Sequence, residues 1–211
     1  GFFKDKTAIK MALGKGGTLE EARDWTIVGC IQAGPGGGGT DGSPDAGYVN
    51  MGKMVEFVLH NGVDPATGKT LGLQTGDPRE FKTIEEFKDA LKKQILHAYD
   101  QIRIGYNLMQ SIHMNRYPVI FASMVTAGCV ERGKSVQEGG ANYSTCGLYV
   151  TGAANLADCI AAVEKCVFED HDLTMDELIA ACDSNFEGQE RLRQLLLNKP
   201  EKYGNNQEHV D

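Results

Sequence analysis

The chain has 211 residues, six of them cysteine, with 41% hydrophobic side chains and a formal net charge of −8. This is enough apolar material for a packed core in one large domain or two small ones, and the acidic balance excludes a general nucleic-acid or anionic-membrane surface. No apolar run approaches a membrane span and the N-terminus shows no signal core or cleavage site, so a cytoplasmic protein with neither membrane nor nucleic acid as partner is expected.

The cysteines, at 30, 129, 146, 159, 166 and 182, include no C-x-x-C pair and no Cys/His set at zinc spacing. No structural metal is expected from them, and in a long chain of ordinary core composition they read as reduced thiols.

Residues 1–17 mix apolar and basic positions and close on Gly14-Lys15-Gly16-Gly17, so they read as the tail of an earlier element followed by a loop. Thr18-Leu19-Glu20-Glu21 is a capping box, which predicts a short helix before Trp25. Trp25-Thr26-Ile27-Val28 then reads as a strand that delivers Gly29-Cys30 onto a loop of small residues running from Ala33 to Gly42. A cysteine so placed lacks the large periodic neighbours of a packing residue, and its glycines suit close approach by another group.

Ser43-Pro44-Asp45 offers the chemistry of a helix start for the apolar series Tyr48, Met51, Met54, Val55, Val58 and Leu59, which Asn61-Gly62 stops. Residues 63–82 are rich in Asp-Pro and Thr-Gly steps and read as an exposed excursion. A second box, Thr83 to Glu86, opens a long helix whose stripe of Phe87, Leu91, Ile95, Ala98, Ile102, Tyr106, Met109 and Ile112 runs to about Arg116.

The type of residues 119–130 stays open. Gly133 to Ala141 is a polar turn region, and Thr145 to Val150 has the pattern of a buried strand. Ala154 to Phe168 reads as a helix carrying Cys159 and Cys166 on its apolar side, as core residues. A third box, Thr174 to Glu177, starts another helix, and a last one is expected over Gln189 to Asn198. Helices separated by short strands and glycine loops indicate α/β.

Three stretches carry a resemblance: Ala22-Arg23-Asp24-Trp25-x-x-x-Gly29-Cys30, Gly133-Lys134-Ser135-Val136-Gln137-Glu138-Gly139-Gly140-Ala141-Asn142-Tyr143, and Gly152-Ala153-Ala154-Asn155-Leu156-Ala157-Asp158. In order and spacing, over nearly the whole chain to Lys202-Tyr203-Gly204-Asn205-Asn206, they resemble the glycyl radical enzymes, in the pyruvate formate-lyase-like branch of dehydratases and arylacetate decarboxylases. The resemblance implies a predominantly helical part of a ten-stranded β/α barrel. Residues 1–211 would be a central fragment of that domain, without its glycyl radical loop.

By the same resemblance Cys30 would become a thiyl radical and Gln32 would stand where dehydratases and decarboxylases carry a glutamate acid or base. A protein-based glycyl radical, installed by a radical S-adenosylmethionine activating enzyme, would lie in the missing C-terminal part, and the full-length protein would be a homodimer acting on a small molecule. An amide cannot take a proton at neutral pH, which favours a decarboxylase or another C–C lyase over a dehydratase. A diol or amino-alcohol dehydratase, a formate acetyltransferase-like enzyme and a catalytically silent scaffold homologue are the alternatives. The usual Gly-Pro-Gln-Gly is also replaced, by Cys146-Gly147-Leu148-Tyr149.

Bland readings hold elsewhere. Gly128-Cys129-Val130-Glu131 spells the tetrapeptide usual in the family but lacks the preceding Ala-Arg-Asp-Trp, so neither Cys129 nor Glu131 is expected in catalysis. Gly36 to Gly39 lacks the strand-loop-helix signature of a phosphate cradle, and His60, His97 and His113 have no partners at ligand spacing.

Overall fold

The computed structural model describes residues 4–14, 16–28, 32–35, 46–144, 147–205 and 210. In chain order the elements begin with helices α1 (Asp5–Gly14) and α2 (Leu19–Arg23), strands β1 (Trp25–Val28), β2 (Gln32–Pro35) and β3 (Tyr48–Asn50), and helix α3 (Met51–Leu59). The two-residue strands β4 (Val63–Asp64) and β5 (Lys69–Thr70) precede the long helix α4 (Ile84–Arg116), which is followed by short helices α5 (Ile120–Val125) and α6 (Cys129–Arg132). Strand β6 (Tyr149–Thr151) leads into α7 (Ala153–Val163), α8 (Met175–Asp183) and α9 (Glu190–Asn198). The strands pair as β1–β2, β3–β6 and β4–β5, so the described residues are mainly helical and hold no closed barrel.

The chain divides into two compact units, Gly1–Tyr48 with Ile102–Tyr149, and Val49–Gln101 with Val150–Asp211. Among the described residues, the second contains most of the buried apolar side chains. Met54, Val55 and Val58 of α3, Phe87 and Leu91 of α4, and Leu178 and Ile179 of α8 are all buried, Phe87 completely at 0% exposure. Burying a Phe, Leu, Ile, Met or Val side chain yields about 1.5–3 kcal/mol, so this set supplies the unit's main stabilisation.

Buried polar groups in the second unit are matched. Gln94 accepts the Leu73 N–H at 2.9 Å and donates to the Leu73 carbonyl at 2.7 Å, which stands in for a strand partner along the excursion after β5. Lys53 donates to the buried Asp64 and to Glu56, whose carboxylate lies 2.6 Å away. Gly62 ends α3 at φ +84°, where a Cβ would lie 2.4 Å from the Leu73 carbonyl oxygen.

The capping boxes predicted at Thr18, Thr83 and Thr174 all form, each with its glutamate reaching back to the cap. Three expectations are corrected. Helix α3 starts not at Ser43-Pro44-Asp45, which lies outside the described residues, but after Asn50, whose side chain accepts from Gly52 N and Lys53 N at 3.0 and 3.4 Å. The expected strand from Thr145 to Val150 is the later, largely exposed β6; Thr145 and Cys146 lie outside the described residues. The stripe of α4 is buried at Phe87 and Leu91, but Met109 and Ile112 near its C-terminal end are exposed.

Of the core cysteines, Cys166 is fully buried in a π-helical segment, Glu164–Glu169, that continues α7, whereas Cys159 is only half-buried.

Candidate functional site

The first unit carries the hairpin on which the cysteine motif lies. β1 and β2 are antiparallel, with Trp25 opposite Pro35, Thr26 opposite Gly34, Ile27 opposite Ala33 and Val28 opposite Gln32. Residues 29–31 fall between the last paired residues. The predicted strand before Cys30 is therefore present, and Gln32 opens β2. Cys30, the glycine run 36–39 and the tip geometry expected for the thiol lie outside the described residues.

The root of the hairpin is held from two sides. Trp25 donates its indole N–H to Asp5 of α1 at 3.1 Å. Beside it is a cavity of about 40 Å³ walled by Ala8, Met11, Ala22, Trp25, Gly34 and Tyr143. Ala22 is fully buried, and Ala33 and Gly34 keep β2 thin enough for α1 to pack nearby.

Glu21 has several partners. Its carboxylate accepts from Thr18 N at 2.9 Å and Thr18 Oγ at 2.7 Å, and it also takes the Tyr143 hydroxyl. The Tyr143 bond, then the two Thr18 bonds, pull its pKa down to about 2, while the carboxylate raises that of the tyrosine. The capping role of Glu21 was visible as Thr-x-x-Glu. Its bond to Tyr143 crosses more than a hundred positions, and no local spacing announces it.

Tyr143 ends the motif Gly133 to Tyr143, whose fold is fixed by close packing of backbone. Gly128, at φ +93°, has no room for a side chain: a Cβ would lie 2.0 Å from Arg132 Nη1 and 2.4 Å from Asn142 Oδ1. Arg132 donates to the Gly140 carbonyl at 2.8 Å and to Asn142 Oδ1 at 2.9 Å, and Asn142 N–H reaches the Ala127 carbonyl at 3.1 Å. A further box, Ser135 with Glu138, opens a 3₁₀ turn, Val136–Glu138, inside it. Cys129 is 2% exposed, and Glu131 accepts from Gly128 N at 3.0 Å as a helix cap.

The second unit contains a separate, mostly apolar cavity of about 350 Å³, walled in part by Val55, Leu59, Cys159, Leu178, Cys182 and Phe186. Burial pushes both thiols up, Cys182 to about 11 although part of that residue reaches solvent, so neither is an activated nucleophile. His60 bonds Asp183 at 2.7 Å and the Glu56 carbonyl at 2.9 Å. Among the described residues, no group of three or more His, Cys, Asp or Glu side chains could hold a metal ion. Among the described residues, no helix is long and apolar enough to cross a membrane.

Known proteins match the chain from end to end. A family profile described as pyruvate formate lyase-like covers residues 1–211. Trans-4-hydroxy-L-proline dehydratase of Clostridioides difficile is 34% identical over 210 residues, covering 100% of this chain and 26% of that protein. Isethionate sulfite-lyase of Desulfovibrio desulfuricans is 35% identical over 212 residues, covering 98% and 25%. Among solved structures, the glycerol-bound B12-independent glycerol dehydratase of Clostridium butyricum superposes with a TM-score of 0.90 at 33% identity, over 98% of this chain and 26% of that one. The chain thus spans about a quarter of the length of the relatives it matches. With the motif hairpin, the cross-linked glycine segment and the whole-length match in agreement, the chain belongs to the pyruvate formate lyase-like family of glycyl radical enzymes.

Proposed function

We propose that the full-length protein is a glycyl radical lyase in which Cys30 forms a thiyl radical and takes a hydrogen atom from a small organic substrate. The observation that carries this reading is the match over residues 1–211 together with Ala-Arg-Asp-Trp leading through β1 to Gly29-Cys30. In the first step an S–H bond forms as a substrate C–H bond breaks, leaving a carbon radical beside the C–C or C–X bond that then cleaves. A glycyl radical outside the present chain, installed by a radical S-adenosylmethionine activating enzyme, supplies the unpaired electron. The active protein is a homodimer in the cytoplasm. Such a radical requires a site closed to oxygen and to stray hydrogen donors.

The substrate class turns on Gln32. Its amide can bind a carboxylate or carbonyl but cannot accept a proton, which favours decarboxylation or another C–C cleavage. The names of the relatives favour a second reading, elimination of a leaving group: two are dehydratases and one is a sulfite-lyase.

The experiment is product formation by the activated full-length protein on arylacetates and on diols, for wild type, Cys30→Ser, Gln32→Ala and Gln32→Glu. Cys30→Ser is expected to lose at least about a thousandfold, because the hydroxyl's far stronger O–H bond prevents it from replacing the radical-carrying thiol. For a decarboxylase, Gln32→Ala loses turnover and Gln32→Glu does not restore it, since a second negative charge would face an anionic substrate. Efficient diol dehydration by wild type, raised further in Gln32→Glu, would favour the second reading. Full activity in Cys30→Ser would sink both.

A further inference from the structure

We propose that Tyr143, through its hydroxyl on the Glu21 carboxylate, is a positioning residue for the β1–β2 hairpin and hence for Cys30, an inference that rests on the radical-lyase reading above. Three observations carry it. First, Glu21 lies in the helix that feeds β1 directly, with only Asp24 between α2 and the strand, so a displacement of Glu21 is passed to the hairpin root with little slack. Second, Tyr143 is presented by a segment with no freedom of its own: Gly128 and Gly140 are closed against backbone and polar side chains, and Arg132 ties residues 140 and 142 together. Third, the tyrosine forms part of the same small cavity as Ala22, Trp25 and Gly34, so the ring is seated against the hairpin as well as bonded beside it.

The arrangement explains why the carboxylate of an ordinary capping box has a partner so distant in sequence. Thr18 and Glu21 alone would complete the start of α2, and the Tyr143 bond adds nothing to the cap itself. What it adds is a fixed separation between the glycine-rich segment and the strand leading to Cys30. Hydrogen-atom transfer is steeply sensitive to the distance between donor and acceptor, so a loosened root is expected to appear as a slower transfer rather than a less stable protein. Because Glu21 is exposed and its bond competes with water, the unfolding midpoint should barely respond.

The test uses the activated full-length protein in D₂O without substrate. The stored glycyl radical takes deuterium from the Cys30 S–D, leaving a thiyl radical; the thiyl then removes the protium from the same carbon. The exchange is followed as collapse of the proton splitting in the electron paramagnetic resonance spectrum, per radical. Cys30→Ser should abolish it, and exchange persisting in that variant would overturn the thiyl reading itself. Tyr143→Phe, which removes only the hydroxyl, should slow exchange about tenfold with the unfolding midpoint within about 2 °C of wild type. Glu21→Ala should slow it equally, the double variant no further, and Glu21→Gln, which keeps an acceptor oxygen, should recover most of the rate. Wild-type exchange in Tyr143→Phe, or losses that multiply in the double variant, would overturn the positioning role while leaving Cys30 in place. If Glu21→Ala folds poorly, Tyr143→Phe and Glu21→Gln decide the question without it.

Discussion

The two units are built on different principles. The second is held by apolar burial, with Phe87, Val58 and Cys166 closed off completely and its polar groups paired within the packing. Among the described residues of the first, the buried apolar side chains are small, Ala8, Ala22, Cys129 and Ala141, while Phe121 is 78% exposed and Val125 71%. Its shape comes instead from capping carboxylates, an arginine on a carbonyl, an indole on an aspartate and glycines that admit no side chain. The cysteine motif lies in this polar-stapled unit. Directional bonds specify where atoms sit at small cost in bulk, whereas apolar burial gives stability with less angular precision.

The largest expected effect separates the two by stability. Phe87→Ala should remove about 3–5 kcal/mol from the second unit, seen as an earlier transition in denaturant followed by far-ultraviolet circular dichroism. The chain's single tryptophan, Trp25, belongs to the first unit, so its fluorescence should move much less. Equal shifts in both signals would show one cooperative structure and erase the contrast.

Next in size is a break in the first unit. Gly128→Ala places a Cβ where φ is +93° and where Arg132 and Asn142 already sit, which should cost about 2 kcal/mol and displace Tyr143. Trp25 emission is the expected reporter, while the signal of the second unit stays unchanged.

The smallest effect sharpens the comparison through pH. Ser135 bonds lower the pKa of Glu138 in the first unit, and Lys53 and Thr174 respectively lower those of Asp64 and Glu177 in the second. Because the folded values lie below the unfolded ones, this stabilisation is complete above 3.8 for Asp64 and 4.5 for the glutamates. It is lost as pH falls through the folded values; that of Glu21 in the first unit lies at about 2. Unfolding midpoints that stay flat through this acid range would show the carboxylates to be energetically idle.

What could be read from the sequence follows the same division. Local signals were legible: Thr-x-x-Glu marks three helix starts, the run before Cys30 is a strand, and the family resemblance holds along the chain. Misreadings came where a non-local partner or a competing cap decided. Ser43-Pro44-Asp45 has the chemistry of a helix start, yet Asn50 supplies the cap because its oxygen meets two free amides. The stripe of α4 is continuous in sequence, but periodicity cannot say how far along a helix its cover extends. The Tyr143–Glu21 bond was illegible for the same reason: nothing in either segment names the other.

The excursion between α3 and α4 offers a practical opening. Its base is stapled by Gly62, whose carbonyl accepts Leu71 N–H and Gly72 N–H, by Asp64 and by Gln94, while residues 65–70 at its tip are exposed. Splicing a peptide tag or a fluorophore-labelled segment between Thr67 and Gly68 would lengthen a closed loop rather than open a packed one, and each doubling of its length costs only about 0.6 kcal/mol. The protein therefore carries a ready attachment point for immobilisation or single-molecule work, outside the cysteine hairpin and the segment that ends in Tyr143.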